Sequence, residues 1–152
     1  MRAARAEDHE ALLGLWLDLI EHHRRLAPGD APAPTLREVL GQEIRRGLSR
    51  ARCRVLVAER GGAPVGFLFA EVEPGGGAGD PAPLGWIHEL WVVPAERRRG
   101  VAGALCAEAD AFFHARDVRR VSVRVESANA EALRYWSRRG FADRARILER
   151  LS

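Results

Sequence analysis

The sequence has no lysine: all 24 of its basic residues are arginine, and 21 residues are acidic. The net charge is only +3, and acidic residues are interleaved with the basic ones along the 152-residue chain. That distribution does not predict the basic surface of a nucleic-acid-binding protein. The one dense basic run is Arg97-Arg98-Arg99, and it is a candidate anion site because arginine holds phosphate oxygens with a planar fork of donors.

Cysteine and long apolar runs are also scarce. Cys53 and Cys106 lack both CxxC spacing and neighbouring histidine pairs, so neither a disulfide framework nor a metal site is predicted. The apolar run at 11–17 is far shorter than the ~18 residues of a membrane helix. Acidic residues also occupy the place of a signal peptide's hydrophobic region. We therefore expect one cytoplasmic domain over residues 1–152, with no metal and no membrane segment.

Hydrophobic periodicity predicts an α/β domain. Apolar residues either recur at helical spacing or alternate with polar ones, and breaks rich in glycine and proline separate these stretches. In chain order the pattern predicts a short strand at 1–4, helices at 7–25 and 36–48, a hairpin whose second strand is 65–72, a strand at 86–93, a helix at 98–113 and a strand at 120–126. The helix between the last two strands predicts that they are parallel, since such crossovers are right-handed.

A last helix is bounded by two terminal signals. Asn129 has the side chain of a helix N-cap, and Gly140 suits the left-handed residue that follows a helix end. The remaining residues, 141–151, contain two or three apolar positions and are predicted to add one or two edge strands. The whole pattern predicts a mixed sheet with helices packed against it.

The segment 92–103 joins a strand end to a helix start through arginine and small residues. Backbone N–H groups at a helix N-terminus are unpaired and carry the positive end of the helix dipole, which favours a bound anion. Gly100 and Ala102 have too little side chain to block a phosphate, and Arg98 and Arg99 can donate charged hydrogen bonds to it. The segment is therefore predicted to be a phosphate cradle, although small residues also occur where a helix packs tightly on a sheet.

Two motifs in this half of the chain resemble those of the GNAT N-acetyltransferase superfamily. Arg97-x-x-Gly100-x-Ala102 is similar to the acetyl-CoA motif of that superfamily, Q/R-x-x-G-x-G/A, and follows a predicted strand as the motif does there. The N-x-x-A stretch that begins at Asn129, together with the Gly-Phe pair at 140–141, is similar to a second signature further along the chain. Chance would rarely produce both motifs in this order around one strand–helix–strand unit.

The resemblance implies an acetyl-CoA-dependent N-acetyltransferase without a metal. It also implies a splayed mixed sheet of roughly six to seven strands flanked by about four helices. The pantetheine arm of acetyl-CoA would lie between the diverging ends of strands 86–93 and 120–126. The residues assigned to acetyl-CoA on this basis are Trp91, Val92 and Val93 for the pantetheine arm, Arg97, Arg98, Arg99, Gly100, Val101, Ala102 and Gly103 for the pyrophosphate, and Asn129, Ala132 and Trp136 for the opposite wall.

The implied reaction is direct attack of an amine on the acetyl thioester, so the amine must first lose a proton. An amine of pKa about 10.4 is almost wholly protonated at pH 7, and a base near the reacting carbonyl is expected. His88 and Glu89 are the candidates on the central strand, and only one is expected to face the site because strand side chains alternate. His88 has the more suitable unperturbed pKa, whereas Glu89 matches an acidic residue that many family members carry.

The leaving thiolate has to gain a proton, a task that the family usually assigns to a tyrosine four residues before the Gly-Phe pair. That position is Trp136 in this sequence, and an indole does not release its proton. Tyr135, about 100° around the helix, and water are the two alternative proton sources. The missing tyrosine leaves a second function open, namely a catalytically weak acetyl-CoA-binding or regulatory module.

The acceptor is predicted to be an amine of a small molecule, or of a protein or peptide. The resemblance places the acceptor site beside the first helix, and polar residues on the strand at 120–126 are further candidates. The candidate acceptor contacts are Trp16, His22, His23, Arg124 and Glu126. Homodimers are frequent in the superfamily, so the resemblance also allows a homodimer, and neither nucleic acid nor a membrane is an expected partner.

Overall fold

The computed structural model describes residues 1–27, 29, 32–75 and 79–150. Its strands are β1 (Arg2–Ala3), β2 (Cys53–Arg60), β3 (Ala63–Glu73), β4 (Leu84–Val92) and β5 (Arg120–Val123). Its helices are α1 (His9–Leu26), α2 (Leu36–Ser49), α3 (Val101–His114) and α4 (Ala130–Arg138). None of the helices in these ranges is long and apolar enough to cross a membrane. The strands form one mixed sheet in the order β1-β2-β3-β4-β5, so the predicted α/β class is confirmed.

The prediction of six to seven strands is wrong for the described residues, which form five. Residues 141–150 contain no strand. Phe141 still packs against the core, but Ile147 and Leu148 are 58% and 91% exposed and most of their neighbours are charged. A strand there would have no apolar face to bury. Residue 151, the end of the predicted strand region, lies outside the described residues.

Strand pairing leaves a gap at one end of the sheet. β1 to β4 pair in antiparallel fashion, and β4 and β5 are parallel, as the sequence predicts. The parallel pairing begins at Leu84 with Arg120 and ends at Ile87 with Val123, whereas β4 continues to Val92. Beyond these pairs the two strands part, and a cleft begins between them.

The sheet is covered on both faces. Alternate residues of β3 divide between the two layers, because strand side chains point to opposite sides. Phe67 and Phe69 lie in the cluster formed with α1 and α2, whereas Leu68 lies in the cluster formed with α3. All three side chains are almost fully buried. This packing fixes the N-terminus of α3 beside the end of β4, where the phosphate cradle is predicted.

Candidate active site

A cleft of about 630 Å³ opens where β4 and β5 part. Its walls come from the end of α1, from β4 and the turn that follows it, from α3, from the segment after β5 and from α4. The predicted site residues that line it are His22, His23, His88, Glu89, Trp91, Val92, Arg97, Arg98, Gly100, Val101, Ala102, Gly103, Arg124, Glu126, Asn129, Ala132, Tyr135 and Trp136. Three further predicted residues, Trp16, Val93 and Arg99, do not line it.

The cleft also contains residues that the sequence patterns did not single out. These are Leu19, Leu90, Glu96, Val123, Val125, Glu131, Arg134 and Arg138. Glu131, Arg134 and Arg138 are three and four residues apart on α4, so they share one face of that helix. This spacing is a signal that the sequence does carry. The apolar residues carry no such signal, because core and cleft positions look alike in a sequence.

The turn between β4 and α3 leaves the N-terminus of α3 open. Gly100 is the N-cap residue, with φ of +80°, and none of the described side chains caps the first N–H groups of the helix. A Cβ added at Gly100 or Gly103 would meet nothing within 4 Å, so the neighbouring space is open. Arg98 adopts a left-handed conformation with φ of +60°, which costs a non-glycine residue about 1 kcal/mol. These residues fit the pyrophosphate of acetyl-CoA.

Arg97 is held by groups of the protein itself. Its Nε donates to the carbonyl oxygen of Val92 at 3.1 Å, and its guanidinium lies over the Trp91 ring, 4.7 Å from the centroid. A third contact reaches across the cleft from Nη1 to Glu131 at 3.5 Å. The side chain therefore ties the end of β4 to α4. Arg98 and the backbone N–H groups are the remaining donors of the turn that line the cleft.

β4 contains a bulge at His88. Phe69 of β3 pairs with Glu89, and the next residue of β3, Ala70, pairs with Ile87, so His88 is the extra residue. A bulge places two residues of one strand opposite one residue of its partner and interrupts the alternation of side chains. The argument that only one of the two candidate bases can face the site therefore does not apply here.

Both candidate bases lie on the face of the sheet that α1 and α2 cover. The ring of His88 packs against Phe69 at 5.5 Å, and its Nε2 lies 2.9 Å from a carboxylate oxygen of Glu71. Glu89 accepts a hydrogen bond from the side chain of Trp16 on α1. The expectation from strand alternation is wrong. Trp16, predicted as an acceptor contact, is instead a core residue that reaches the site through Glu89.

Glu89 is the better placed of the two bases. Burial raises the pKa of its carboxyl from 4.5 to about 7, and the hydrogen bond from Trp16 opposes part of this rise. A carboxylate that exchanges its proton near pH 7 is suited to general base catalysis. His88 is exposed, and its partner Glu71 also forms an ion pair with Arg52 at 3.0 Å.

Two histidines at the end of α1 face the cleft. The ring of His22 lies 5.2 Å from the Trp91 ring, and burial together with the charge of Arg97 lowers the pKa of His22. Burial also lowers the pKa of His23, although the nearby charge of Glu126 opposes this shift. Both imidazoles are therefore neutral at pH 7, and α1 adds no cation to this wall of the cleft through them.

Tyr135 faces α3 as well as the cleft. Its hydroxyl oxygen lies 3.4 Å from the Sγ of Cys106, and burial raises the pKa of the hydroxyl above its usual value. Trp136, at the position where the family has its tyrosine, is buried with its ring 5.1 Å from that of Tyr135. Because an ordinary thiol has a pKa of about 8.5, proton transfer from Tyr135 to a thiolate is uphill.

Both ends of α4 are as the sequence predicts. The side-chain oxygen of Asn129 accepts a hydrogen bond from the backbone N–H of Ala132 at 3.0 Å, which confirms the N-cap. Gly140 has φ of +86° and follows the end of the helix. Asn129 is buried and also lines the cleft, so the cap and the predicted contact with acetyl-CoA are compatible.

Residues 16–141 match the sequence model of the acetyltransferase (GNAT) family. The chain belongs to this family. Mycothiol acetyltransferase of Thermobispora bispora is 33% identical to it over 85 residues, which are 56% of this chain and 28% of that protein. The match therefore spans less than a third of that relative's length.

Solved structures share the fold of this GNAT protein. The aminoglycoside N-acetyltransferase AAC(6′)-Iy in complex with CoA superposes with a TM-score of 0.76 at 20% identity, over 99% of this chain and 92% of that one. A protein from Bacillus halodurans C-125 that is named a transcriptional regulator superposes with a TM-score of 0.79 at 18% identity, over 99% and 97% of the two chains. What is shared at such identities is the fold.

Membership of the acetyltransferase (GNAT) family supports an acetyl-CoA-dependent N-acetyltransferase activity, with acetyl-CoA as the co-substrate. Among the described residues, no three histidine, cysteine or acidic side chains are grouped so that they could hold a metal ion. The roles of the individual cleft residues stay predictions, and so does the expectation of a homodimer.

Proposed function

We propose that this GNAT acetyltransferase acetylates a primary amine of a small molecule by direct attack in a ternary complex, with Glu89 as the general base. The observation that carries the proposal is the half-buried carboxyl group of Glu89 in the cleft, with a pKa of about 7. It lies next to the bulge of β4, close to the point where β4 and β5 part. A base at this point would stand beside the reacting thioester.

The acceptor amine must lose a proton before it can attack the thioester, which is why a general base is needed. An alkylammonium ion has a pKa of about 10.4, so only a small fraction is free amine at pH 7. The ionised carboxylate of Glu89 takes that proton, and the amine nitrogen bonds to the acetyl carbon as the bond from this carbon to sulfur breaks. Acetyl-CoA supplies the activated thioester. The nitrogen releases its second proton to water to become the neutral amide, and the departing thiolate takes a proton from water. Glu89 returns its proton to solvent before the next turnover.

The named activities of relatives favour a small-molecule acceptor over a protein. The relatives whose names state an activity are a mycothiol acetyltransferase and an aminoglycoside N-acetyltransferase. The carboxylates of Glu89 and Glu126 also line the cleft, and they would attract an ammonium group.

Thiol release from acetyl-CoA in the presence of a panel of small primary amines tests the proposed function. We expect at least one amine to raise the rate above the hydrolysis background, with the acetylated amine detected by mass spectrometry. Because the chain contains no lysine, acetylation of its own side-chain amines adds no background. Acetyl-CoA binding without transfer to any amine in the panel would favour the regulatory alternative instead.

Trp16→Phe is expected to move the acid limb of the pH profile of kcat to higher pH. The side chain of Trp16 donates a hydrogen bond that lowers the pKa of Glu89, so losing this donor raises that pKa above about 7. A higher pH is then needed to ionise Glu89, and kcat recovers at alkaline pH. Steady-state rates between about pH 5.5 and 9.5 measure the midpoint.

Trp86→Phe is the matched control for this experiment. Its indole N–H donates to Glu73 at 3.0 Å, and neither residue lines the cleft. We expect the pH midpoint of this variant to match that of the wild type. An unshifted midpoint in Trp16→Phe would show that the hydrogen bond does not tune Glu89, whatever the loss of stability.

Tyr135→Phe is expected to be nearly silent in kcat. The hydroxyl of Tyr135 has a raised pKa and lies against Cys106, so water is the better proton source for the thiolate. The kinetic constants for acetyl-CoA and an accepted amine provide the measurement. A loss of about 10²-fold or more in kcat, at unchanged KM for acetyl-CoA, would identify Tyr135 as the acid.

A further inference from the structure

Two arginines on α4, Arg134 and Arg138, line the cleft without a partner. No carboxylate of the described residues lies within ion-pair distance of either guanidinium. The neighbouring Arg139 differs, because it donates to Asp110 of α3 at 3.0 Å. Unpaired guanidinium groups on a cleft wall are available to an anionic ligand.

The packing of α4 on α3 places this wall beside the phosphate cradle. Tyr135 contacts Cys106 at 3.4 Å, and Arg139 contacts Asp110 at 3.0 Å. The second contact lies four residues after the first on both helices, so α3 and α4 run side by side in the same direction. Glu131, on the adjacent face of α4, forms an ion pair with the turn that precedes α3. The N-terminus of α4 therefore lies close to that of α3.

Arg134 and Arg138 follow Glu131 on this face, about one and two turns further along α4. Side chains on a helix lean toward its N-terminus, which here is the direction of the cradle. The space between α4 and α3 is open on the α3 side, since a Cβ added at Gly103 would meet nothing within 4 Å. A groove therefore leads from the cradle along α4, and its α4 wall carries two unpaired positive charges.

Carboxylates near the cradle do not compensate these charges. Glu96 forms an ion pair with Arg60 at 2.6 Å, and Glu131 forms one with Arg97 at 3.5 Å. The positive charge on the α4 wall is therefore additional to the donors that the turn offers to a pyrophosphate. A cationic acceptor amine would be repelled from this wall.

We propose that Arg134 and Arg138 bind the 3′-phosphate of the CoA nucleotide and make the enzyme discriminate in favour of CoA. The inference rests on the acetyl-CoA binding that family membership assigns. A 3′-phosphate carries nearly two negative charges at pH 7 and stands one ribose away from the pyrophosphate, beyond the cradle. Arginine holds such a group with paired, charge-assisted hydrogen bonds. The acetyl donor is then a CoA thioester and not a pantetheine arm on a carrier protein, which lacks this phosphate.

Calorimetric titration with CoA and with 3′-dephospho-CoA tests the proposal without measuring turnover. The wild type should bind CoA about tenfold more tightly than 3′-dephospho-CoA. In the double variant Arg134→Gln/Arg138→Gln, CoA affinity should fall to that for 3′-dephospho-CoA, which itself stays unchanged. The control Arg119→Gln/Arg144→Gln removes the same charge from exposed positions outside the cleft and should keep the preference.

Each contrary result has a separate meaning. Equal affinity of the wild type for the two ligands would overturn the proposal, and this comparison needs no variant. Equal weakening of both ligands in the double variant would also overturn it, because the arginines would then act on the shared part of the molecule. Failure of the wild type to bind either ligand would contradict the acetyl-CoA assignment itself, on which the proposal rests.

Discussion

Glu89→Gln is expected to lower kcat by about 10²–10⁴-fold with little change in the affinity for acetyl-CoA. The amide keeps the size of the side chain but cannot take the proton of the acceptor. Wild-type kcat should fall below about pH 7 as Glu89 becomes protonated, and the residual rate of the variant should lack this limb. Steady-state kinetics across pH, with acetyl-CoA affinity measured separately, provide the test.

His88→Gln separates the two candidate bases, because the bulge brings both side chains to the same face of the sheet. His88 is exposed and directed at Glu71, so its loss should leave most of kcat. The assignment of the base would be wrong if His88→Gln abolished activity while Glu89→Gln retained it.

The same Glu89→Gln variant should gain stability at alkaline pH. Folding raises the pKa of Glu89 from 4.5 to about 7, so the folded state favours the protonated carboxyl. Its contribution to stability is therefore complete below pH 4.5 and is lost as the pH rises through 7. The free energy of unfolding falls by roughly 3 kcal/mol across this pH range because of Glu89. Denaturant unfolding should show the variant more stable than the wild type at about pH 8 but not at about pH 4.

Gly100→Glu is expected to abolish the stabilisation of the protein by acetyl-CoA. At 100 times its dissociation constant a ligand adds about 2.7 kcal/mol, which raises the melting temperature by roughly 5–10 °C for a domain of this size. The new carboxylate would stand at the uncapped N-terminus of α3, where the pyrophosphate is predicted to bind. Thermal melts with and without acetyl-CoA measure the effect.

Gly62→Glu is the matched control for the Gly100 variant. Gly62 lies in the hairpin turn with φ of +79°, against +80° at Gly100, and a Cβ at either position meets nothing within 4 Å. Backbone strain and charge therefore change equally in the two variants. The Gly62 variant should melt earlier but keep its full shift with acetyl-CoA. A full shift in Gly100→Glu would show that the pyrophosphate binds elsewhere.

Much of the fold follows from periodicity, because a packed sheet imposes period two and a packed helix imposes a period near 3.6. The parallel pairing of β4 and β5 also follows, since the crossover rule depends only on a strand–helix–strand order. The edge strands predicted over residues 141–151 are the exception, because residues 141–150 contain no strand. Ile147 and Leu148 are apolar in the sequence but exposed in the structure, and a sequence alone does not show whether a sheet edge is available to them.

The part of the site that local backbone conformation forms was predictable from the sequence. The part that depends on the pairing register of the strands was not. The open N-terminus of α3 at Gly100 is encoded locally by small residues after a strand. The bulge at His88 is not, because an extra residue appears only when the pairing with β3 is known. The spacing of Arg134 and Arg138 predicts that they share one face of α4. Only the structure shows that this face lines the cleft.

The gap between β4 and β5 also affects how the protein behaves without its co-substrate. Beyond Ile87, one side of β4 has no partner strand among the described residues. A sheet edge of this kind is a template for strands from other chains and a starting point for aggregation. Acetyl-CoA, lying along this edge as the family resemblance implies, would cover it. The co-substrate would then also protect its own enzyme from non-native strand addition, and we expect slower aggregation when the protein is handled with CoA present.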